Sequence, residues 1–305
     1  MASDDTQVAW LLDGDPAVRV RVLRDLLDAP PDEVAAERRR VAEDGWGARL
    51  LAEQNPDGGW GEGVYSPKWT STTYTLLHLM WLGVPAGHEA ALRGLEHLWD
   101  WQSRWRAPET CIESILVRLT AAFGFPADRL DDVTEHLLGQ QLDDGGWNCV
   151  ARGVTSTHSS FHTSIQALEA LAAYRESGGG LDTAPATARG QEFFLRHRLY
   201  QSHRTGQVAI ASSTRFPAFP EWHFDVLRGL EYLARVRAGG DERLTDAVAL
   251  LEQKRRADGT WSTYAPYAGK QFFRLEQPGA SRWTTVRALA VLRWWESTRG
   301  CYTPP

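Results

Sequence analysis

Cysteine is scarce in this chain. Cys111, Cys149 and Cys301 are the only three in 305 residues, an odd and sparse set that excludes the dense disulfide framework of a small secreted domain. The opening Met1-Ala-Ser-Asp-Asp is acidic and has no apolar core of the kind a signal peptide carries. No apolar run approaches the roughly 20 residues that span a bilayer. The expectation is therefore a cytoplasmic protein with no membrane span. Basic residues are not in excess: the formal charge is -6, which argues against nucleic acid as a partner, because phosphates need a basic face. A Gly-X-Ser-X-Gly elbow and a His-Glu-X-X-His helix are both missing, so serine hydrolase and zincin chemistry fall away. No run of alternating β-branched residues suggests a sheet.

Against these absences stands an abundance of tryptophan, 14 residues. Trp is large and carries one donor, so it plugs walls, lines pockets and can face a cation. Three of the tryptophans close related segments. Residues 50–60 read LLAEQNPDGGW, 137–147 read LLGQQLDDGGW and 251–261 read LEQKRRADGTW. Each is an apolar helical stretch, a glycine turn and a Trp, with Gln54 and Gln141 six residues ahead of Trp60 and Trp147. Arg255 takes that place in the third copy. The glycine is expected to end the helix through the left-handed conformation it tolerates, and the Gln and Trp to pin the turn to its neighbours.

Between the turns, apolar residues recur at three- and four-residue steps over 72–82, 112–123, 161–174 and 283–295. Further helices are predicted near 16–28, 33–43, 87–101, 128–140, 187–198, 223–237 and 242–254. The pattern is helix, Gly-rich turn, helix, repeated five or six times. Stacked helical pairs form an open solenoid or close into a ring, and the pattern alone permits both. Two long polar and aromatic loops, about 199–221 and 262–281, are of the type that caps functional mouths.

The Gln-X5-Trp turns resemble the QW repeats of squalene cyclases, and related Gly-rich turns occur in protein prenyltransferase β subunits. The similarity spans about residues 45–298. It implies an all-α fold, an (α/α)6 toroid of helical hairpins, in one domain over 1–305: N-terminal helices to residue 44, the ring to 298, and a tail. In that superfamily the N-terminal ends of the inner helices face a central cavity. Carried onto this chain, those ends lie near Trp69, Glu109, His158, Trp222 and Trp283.

The resemblance also implies site residues. Prenyltransferase β subunits hold zinc with an Asp-X-Cys pair and a His in an aromatic-His-Thr context. Glu109-Thr110-Cys111 and Phe161-His162-Thr163 are similar, so Glu109, Cys111 and His162 are the expected zinc ligands, with Cys149 and His158 as alternates. A carboxylate, a thiolate and an imidazole leave one position open on zinc for a thiol or water. Arg104, Arg106 and Lys68 would hold an anionic head group, with diphosphate as the candidate, and Arg282 is a further substrate-binding candidate. Trp69, Trp222 and Trp283 would line an apolar cavity for an isoprenoid-like substrate. The Asp-X-Asp-Asp acid of squalene cyclases is absent; Asp131-Asp132 and Asp143-Asp144 are only pairs. A metal-free cyclase- or lyase-like enzyme would instead use Asp225 and His223 as acid–base groups, although an Asp at 225 equally suits a helix cap or a pair with Arg228. A third reading is a non-catalytic helical-repeat scaffold. The sequence is silent on a partner subunit.

Overall fold

The computed structural model describes residues 5–104, 109–126, 129–149 and 157–299. The helices in chain order are α1 (Asp5–Leu12), α2 (Pro16–Arg21) continued by a π turn (Val22–Leu26), α3 (Pro31–Arg40), α4 (Gly45–Ala52), α5 (Thr72–Leu82), α6 (Glu89–Ser103), α7 (Thr110–Phe123), α8 (Leu130–Gly139), α9 (Phe161–Glu176), α10 (Ala184–Arg196), α11 (Val226–Arg235), α12 (Thr245–Gln253) and α13 (Arg282–Arg299). The strands among the described residues are one antiparallel pair, Trp261–Ser262 with Ala280–Ser281. The all-α prediction holds.

Helices α5, α7, α9, α11 and α13 are the inner layer. Their burial leaves little of an amphipathic pattern: every residue of α5 from Thr72 to Leu79 is buried, and so is nearly all of α9. Helices α6, α8 and α10 are amphipathic and lie outside, as expected for elements with one dry face.

The three Trp turns superimpose in chemistry. The indole N–H of Trp60, Trp147 and Trp261 donates to the carbonyl ten residues back, on Leu50, Leu137 and Leu251, at 2.8, 2.9 and 2.8 Å. Those carbonyls sit in the last turns of α4, α8 and α12, where each otherwise accepts only a long i+3 backbone N–H, from Glu53 (3.3 Å), Gln140 (3.2 Å) and Lys254 (3.2 Å). The backbone N–H of each Trp donates to a hydroxyl on the next inner helix, Thr72, Ser164 or Thr285. The glycine does not end the helix as expected. Helix α4 stops at Ala52, and Gly58 shapes the later tight turn at φ +97°, with its N–H on the Asn55 carbonyl.

Gln54 ties its turn to the next outer helix, through Gly58 and Ala90, and Gln141 does the same through Gly145 and Ala186. In the third copy Arg255 donates to the Gly259 carbonyl, and so does Gln7 of α1. The N-terminal helix thus stands where the next outer helix belongs, and the ring closes. Arg282 clasps α1 through the Trp10 carbonyl and Asp13, Arg21 pairs with Glu231 of α11, and α2 packs against α13. Residues 5–26 therefore complete the ring that the sequence reading began at residue 45.

Candidate functional site

Loops close one face of the ring, the N-terminal ends of the inner helices. Trp69 Nε1 donates to the Ala268 carbonyl and Trp283 Nε1 to Ala218, so both long loops are stitched over this face. The expected opening is on the other face. A cavity of about 1280 Å³ runs down the ring, walled by the C-terminal parts of α5, α7, α9, α11 and α13 and by α2. On α13 its wall extends from Trp283 to Thr298, about 22 Å at the helical rise. Ala218 and Pro220 stand at the inner end.

Segment Glu221–Asp225 lies behind that end: the flanking Pro220 and Arg228 line the cavity, and the segment itself does not. Glu221 has φ +55°, and Trp69 opposite has φ +78°. Side chains of this size rarely adopt a positive φ, which costs on the order of 1–3 kcal/mol and is held only where surroundings enforce it. Glu221 Oε1 pairs with His78 Nε2 at 2.8 Å in a buried contact. Buried polar atoms without a hydrogen bond concentrate here: Glu221 Oε2, Trp222 Nε1, His223 Nδ1, Asp225 Oδ2 and, on α9, Gln166 Oε1. Native proteins leave few such groups, and those left commonly mark chemistry or a bound molecule.

Asp225 is fully buried. Its Oδ1 accepts the Arg228 N–H and caps α11, as one sequence reading anticipated, but Arg228 gives its side chain to Glu169 instead. Oδ2 is left free, and burial pushes the Asp225 carboxyl up to about 6 against the pull of Arg287 and Arg228. Those two arginines and Glu231, its charged neighbours, all line the cavity. His223 moves the other way, down to about 4, through burial and then the neighbouring His162. Its ring is sandwiched between Trp222 and Tyr267, each 3.7 Å away centroid to centroid.

The predicted residues separate into groups. Lys68, Trp69, His162, Trp222 and His223 come together beneath the loops, with Lys68 Nζ 5.1 Å from the Trp222 ring. Trp283 lines the cavity. Arg104 is exposed and paired with Asp100, and Arg282 is occupied in closing the ring. Neither faces the cavity, because ends of helices on the rim and outer seam point away from the axis. Arg106 lies outside the described residues.

The candidate metal ligands regroup. Glu109, Cys111 and Cys149 bring their donor atoms within 4.8 Å of one another, a grouping that includes neither His162 nor His158. His162 Nδ1 instead accepts the Phe224 N–H at 2.8 Å, so one ring nitrogen is committed to positioning the 221–225 segment. His158 is exposed and bonds locally. Within the cluster, the Cys111 thiol is pushed up and Cys149 drawn down to about 7 by the hydrogen bond between them. A thiolate held beside a thiol and a carboxylate suits a divalent cation, so the donor set fits zinc.

Sequence reasoning missed the charged wall. Arg21, Arg118, Arg228 and Arg287, with Glu169 and Glu231, line the cavity. For Arg118 a signal was present, a single charge in an otherwise apolar stretch, Ile115-Leu-Val-Arg118-Leu; Arg21 and Arg228 have other charged residues close by in sequence and do not stand out. Tyr267 was missed because nothing local to a loop reports what it stacks on.

No protein-family model and no curated protein matches the chain. Solved structures similar to it include a protein from Actinoplanes, 17% identical over 93% of this chain and 90% of that one, TM-score 0.45. A substituted form of the type II terpene cyclase MstE from Scytonema, in complex with geranylgeranyl dihydroxybenzoate, is 16% identical over 96% of each chain, TM-score 0.48.

Proposed function

We propose that the protein is a Brønsted acid–base enzyme acting on an apolar, isoprenoid-like chain held in the ring. The observation that carries this is segment 221–225: strained backbone, unpaired buried polar atoms, and two titratable groups displaced in opposite directions, directly behind Pro220 and Arg228 in the wall of a large cavity. Environments that push an acid up and a base down are how one site holds both roles at one pH, here between about 4 and 6. Asp225, protonated, gives its proton to a carbon of a substrate double bond and becomes carboxylate beside Arg287 and Arg228. The carbocation formed loses a proton to neutral His223. The sum is an isomerisation or cyclisation, with no electrons transferred to or from the protein. Covering loops keep water from quenching the cation.

The test is turnover of prenyl alcohols and prenyl diphosphates across pH, with products read by mass spectrometry. A bell-shaped kcat/KM is expected, falling below about 4 as His223 charges and above about 6 as Asp225 ionises. A profile flat from pH 5 to 8, or no turnover of any olefin offered, would sink the reading.

A second reading rests on the thiol cluster. Glu109, Cys111 and Cys149 would hold zinc and leave a fourth position, and the ion would supply Lewis acidity or an activated thiol or water. About one zinc per chain is expected by elemental mass spectrometry, falling severalfold in Cys149→Ser and unchanged in His162→Ala. Zinc that survives in the Cys149 variant would overturn this ligand set.

A further inference from the structure

The chain has only three cysteines, and Cys111 and Cys149 are 38 positions apart in sequence. The fold nonetheless brings these two to one place. Cys111 stands in the first turn of α7, and Cys149 follows Trp147 by two residues. Their sulfurs and one carboxylate oxygen of Glu109 all lie within 4.8 Å of one another. A free cysteine with no chemical role is usually a buried hydrophobe, yet neither of these belongs to the apolar core. Both are half-buried and keep some surface open to solvent.

The two thiols are held differently. Cys111 Sγ donates to Glu109 Oε2 at 3.7 Å. Cys149 Sγ lies 3.4 Å from the Thr163 hydroxyl of α9, and it faces both the thiol and the backbone N–H of Cys111. One sulfur therefore has an acceptor waiting for its proton, and the other is surrounded by donors that suit a thiolate. Thiol–disulfide exchange uses this division: a thiolate attacks, and a second thiol resolves the mixed disulfide.

We infer that Cys149 and Cys111 are a redox-active dithiol, which closes to a disulfide by exchange with a low-molecular-weight disulfide. The Cys149 thiolate attacks one sulfur of the reagent, whose S–S bond breaks and releases a thiolate. Cys111 passes its proton to Glu109, and its sulfur attacks the Cys149 sulfur and expels the second thiolate. The protein gives up two electrons and two protons, and the reagent takes them up as two thiols. The new bond, about 2.05 Å long, joins the start of α7 to the turn that leads to α9. This couple stands apart from the acid–base reading. It does not rest on zinc either, although the two exclude each other on one molecule, because only the reduced, deprotonated sulfur is a metal ligand.

The probe is oxidised glutathione, applied over a series of oxidised-to-reduced ratios to the full chain carrying Cys301→Ser, with a chelator present. Cys301 lies outside the described residues, and its replacement leaves two thiols to count. Thiols that remain are alkylated and counted by intact mass, and the bond is located by peptide mapping. Both thiols are expected to disappear in a single step, leaving a cross-link between Cys111 and Cys149 that dithiothreitol reverses. Cys111→Ser should retain glutathione on Cys149, severalfold more than Cys149→Ser retains on Cys111. Two alkylated thiols at the most oxidising ratio would overturn the couple. So would stable glutathionylation of the parent without a cross-link, or a bond formed only between copies of the chain. Equal retention in the two serine variants would overturn the assignment of Cys149 as the attacking sulfur. A reversible cross-link in a chain that binds no zinc would retain the dithiol and remove only the zinc reading. Zinc bound to a chain whose thiols resist glutathione in chelator would do the reverse.

Discussion

Asp225→Asn is expected to lower kcat/KM by about a hundredfold to ten-thousandfold, the range lost when a positioned proton donor is removed, while making the protein more stable at neutral pH. The two effects share one cause. Asn retains the cap on α11, because its side-chain oxygen still accepts the Arg228 N–H. What it removes is a carboxylate that the fold strains to ionise. The folded carboxyl sits at about 6 against an ordinary 3.8, so the folded state binds the proton more tightly than the unfolded chain. Stability from this group is present in full below about pH 4 and is lost as pH rises through about 6. Two units of displacement correspond to on the order of 3 kcal/mol, partly offset in the variant by the new unpaired amide. Urea denaturation at pH 4 and pH 7 measures it. The variant should gain on the parent only at the higher pH. A variant that is less stable than the parent at pH 7 would show that Asp225 is a structural carboxylate, and turnover within threefold of the parent would show that it is not the acid.

Trp147→Ala should cost more stability than any other single truncation discussed here. The ring is fully buried and its indole N–H satisfies the Leu137 carbonyl at the end of α8. Truncating a buried Trp costs about 3–5 kcal/mol in lost contacts and cavity, and the lost indole hydrogen bond adds about 1 kcal/mol, since the Leu137 carbonyl keeps the Gln140 N–H at 3.2 Å. Against total stabilities of about 5–15 kcal/mol, that is a large share. A neighbouring glycine supplies an internal check. A methyl group on Gly190 of α10 would lie 2.8 Å from Trp147 Cζ3, so Gly190→Ala overpacks the parent core. The methyl would also lie 2.8 Å from Leu168 Cδ2, but in the Trp147→Ala background that flexible side chain can turn into the space the indole leaves. The two changes should therefore be strongly non-additive, with the double variant no less stable than Trp147→Ala alone. Additive losses, or a Trp147→Ala cost under about 1 kcal/mol, would refute the view of this turn as a structural joint.

The limits of local reading show in particular residues. Arg255 looked like a degenerate Gln, yet its guanidinium reaches the same carbonyl on Gly259 that the Gln side chains reach on Gly58 and Gly145. Residue type changed while donor geometry did not. The predicted zinc set was two-thirds local: Glu109 is the extended N-cap residue of α7 and Cys111 lies two residues on, so their proximity needs only the geometry of that cap. Choosing between His162, His158 and Cys149 required knowing where the following turn delivers each side chain. The structure delivers Cys149 and turns His162 toward Phe224.

The sequence by itself determined the helices and the three Trp turns, because periodicity and turn chemistry act over ten residues or fewer. It also marked the 221–225 segment by its residue types. Only the tertiary structure decided that the ring closes through α1, that the cavity lies toward the C-terminal ends of the inner helices, and that arginines rather than tryptophans dominate its wall. Those outcomes depend on contacts such as Arg21 with Glu231, 210 residues apart, and Gln7 with Gly259, 252 apart. A helical period tells which face of a helix is buried. Which charges meet across the ring axis depends on the rotation and rise of each hairpin against the next, set by the packing of the whole ring.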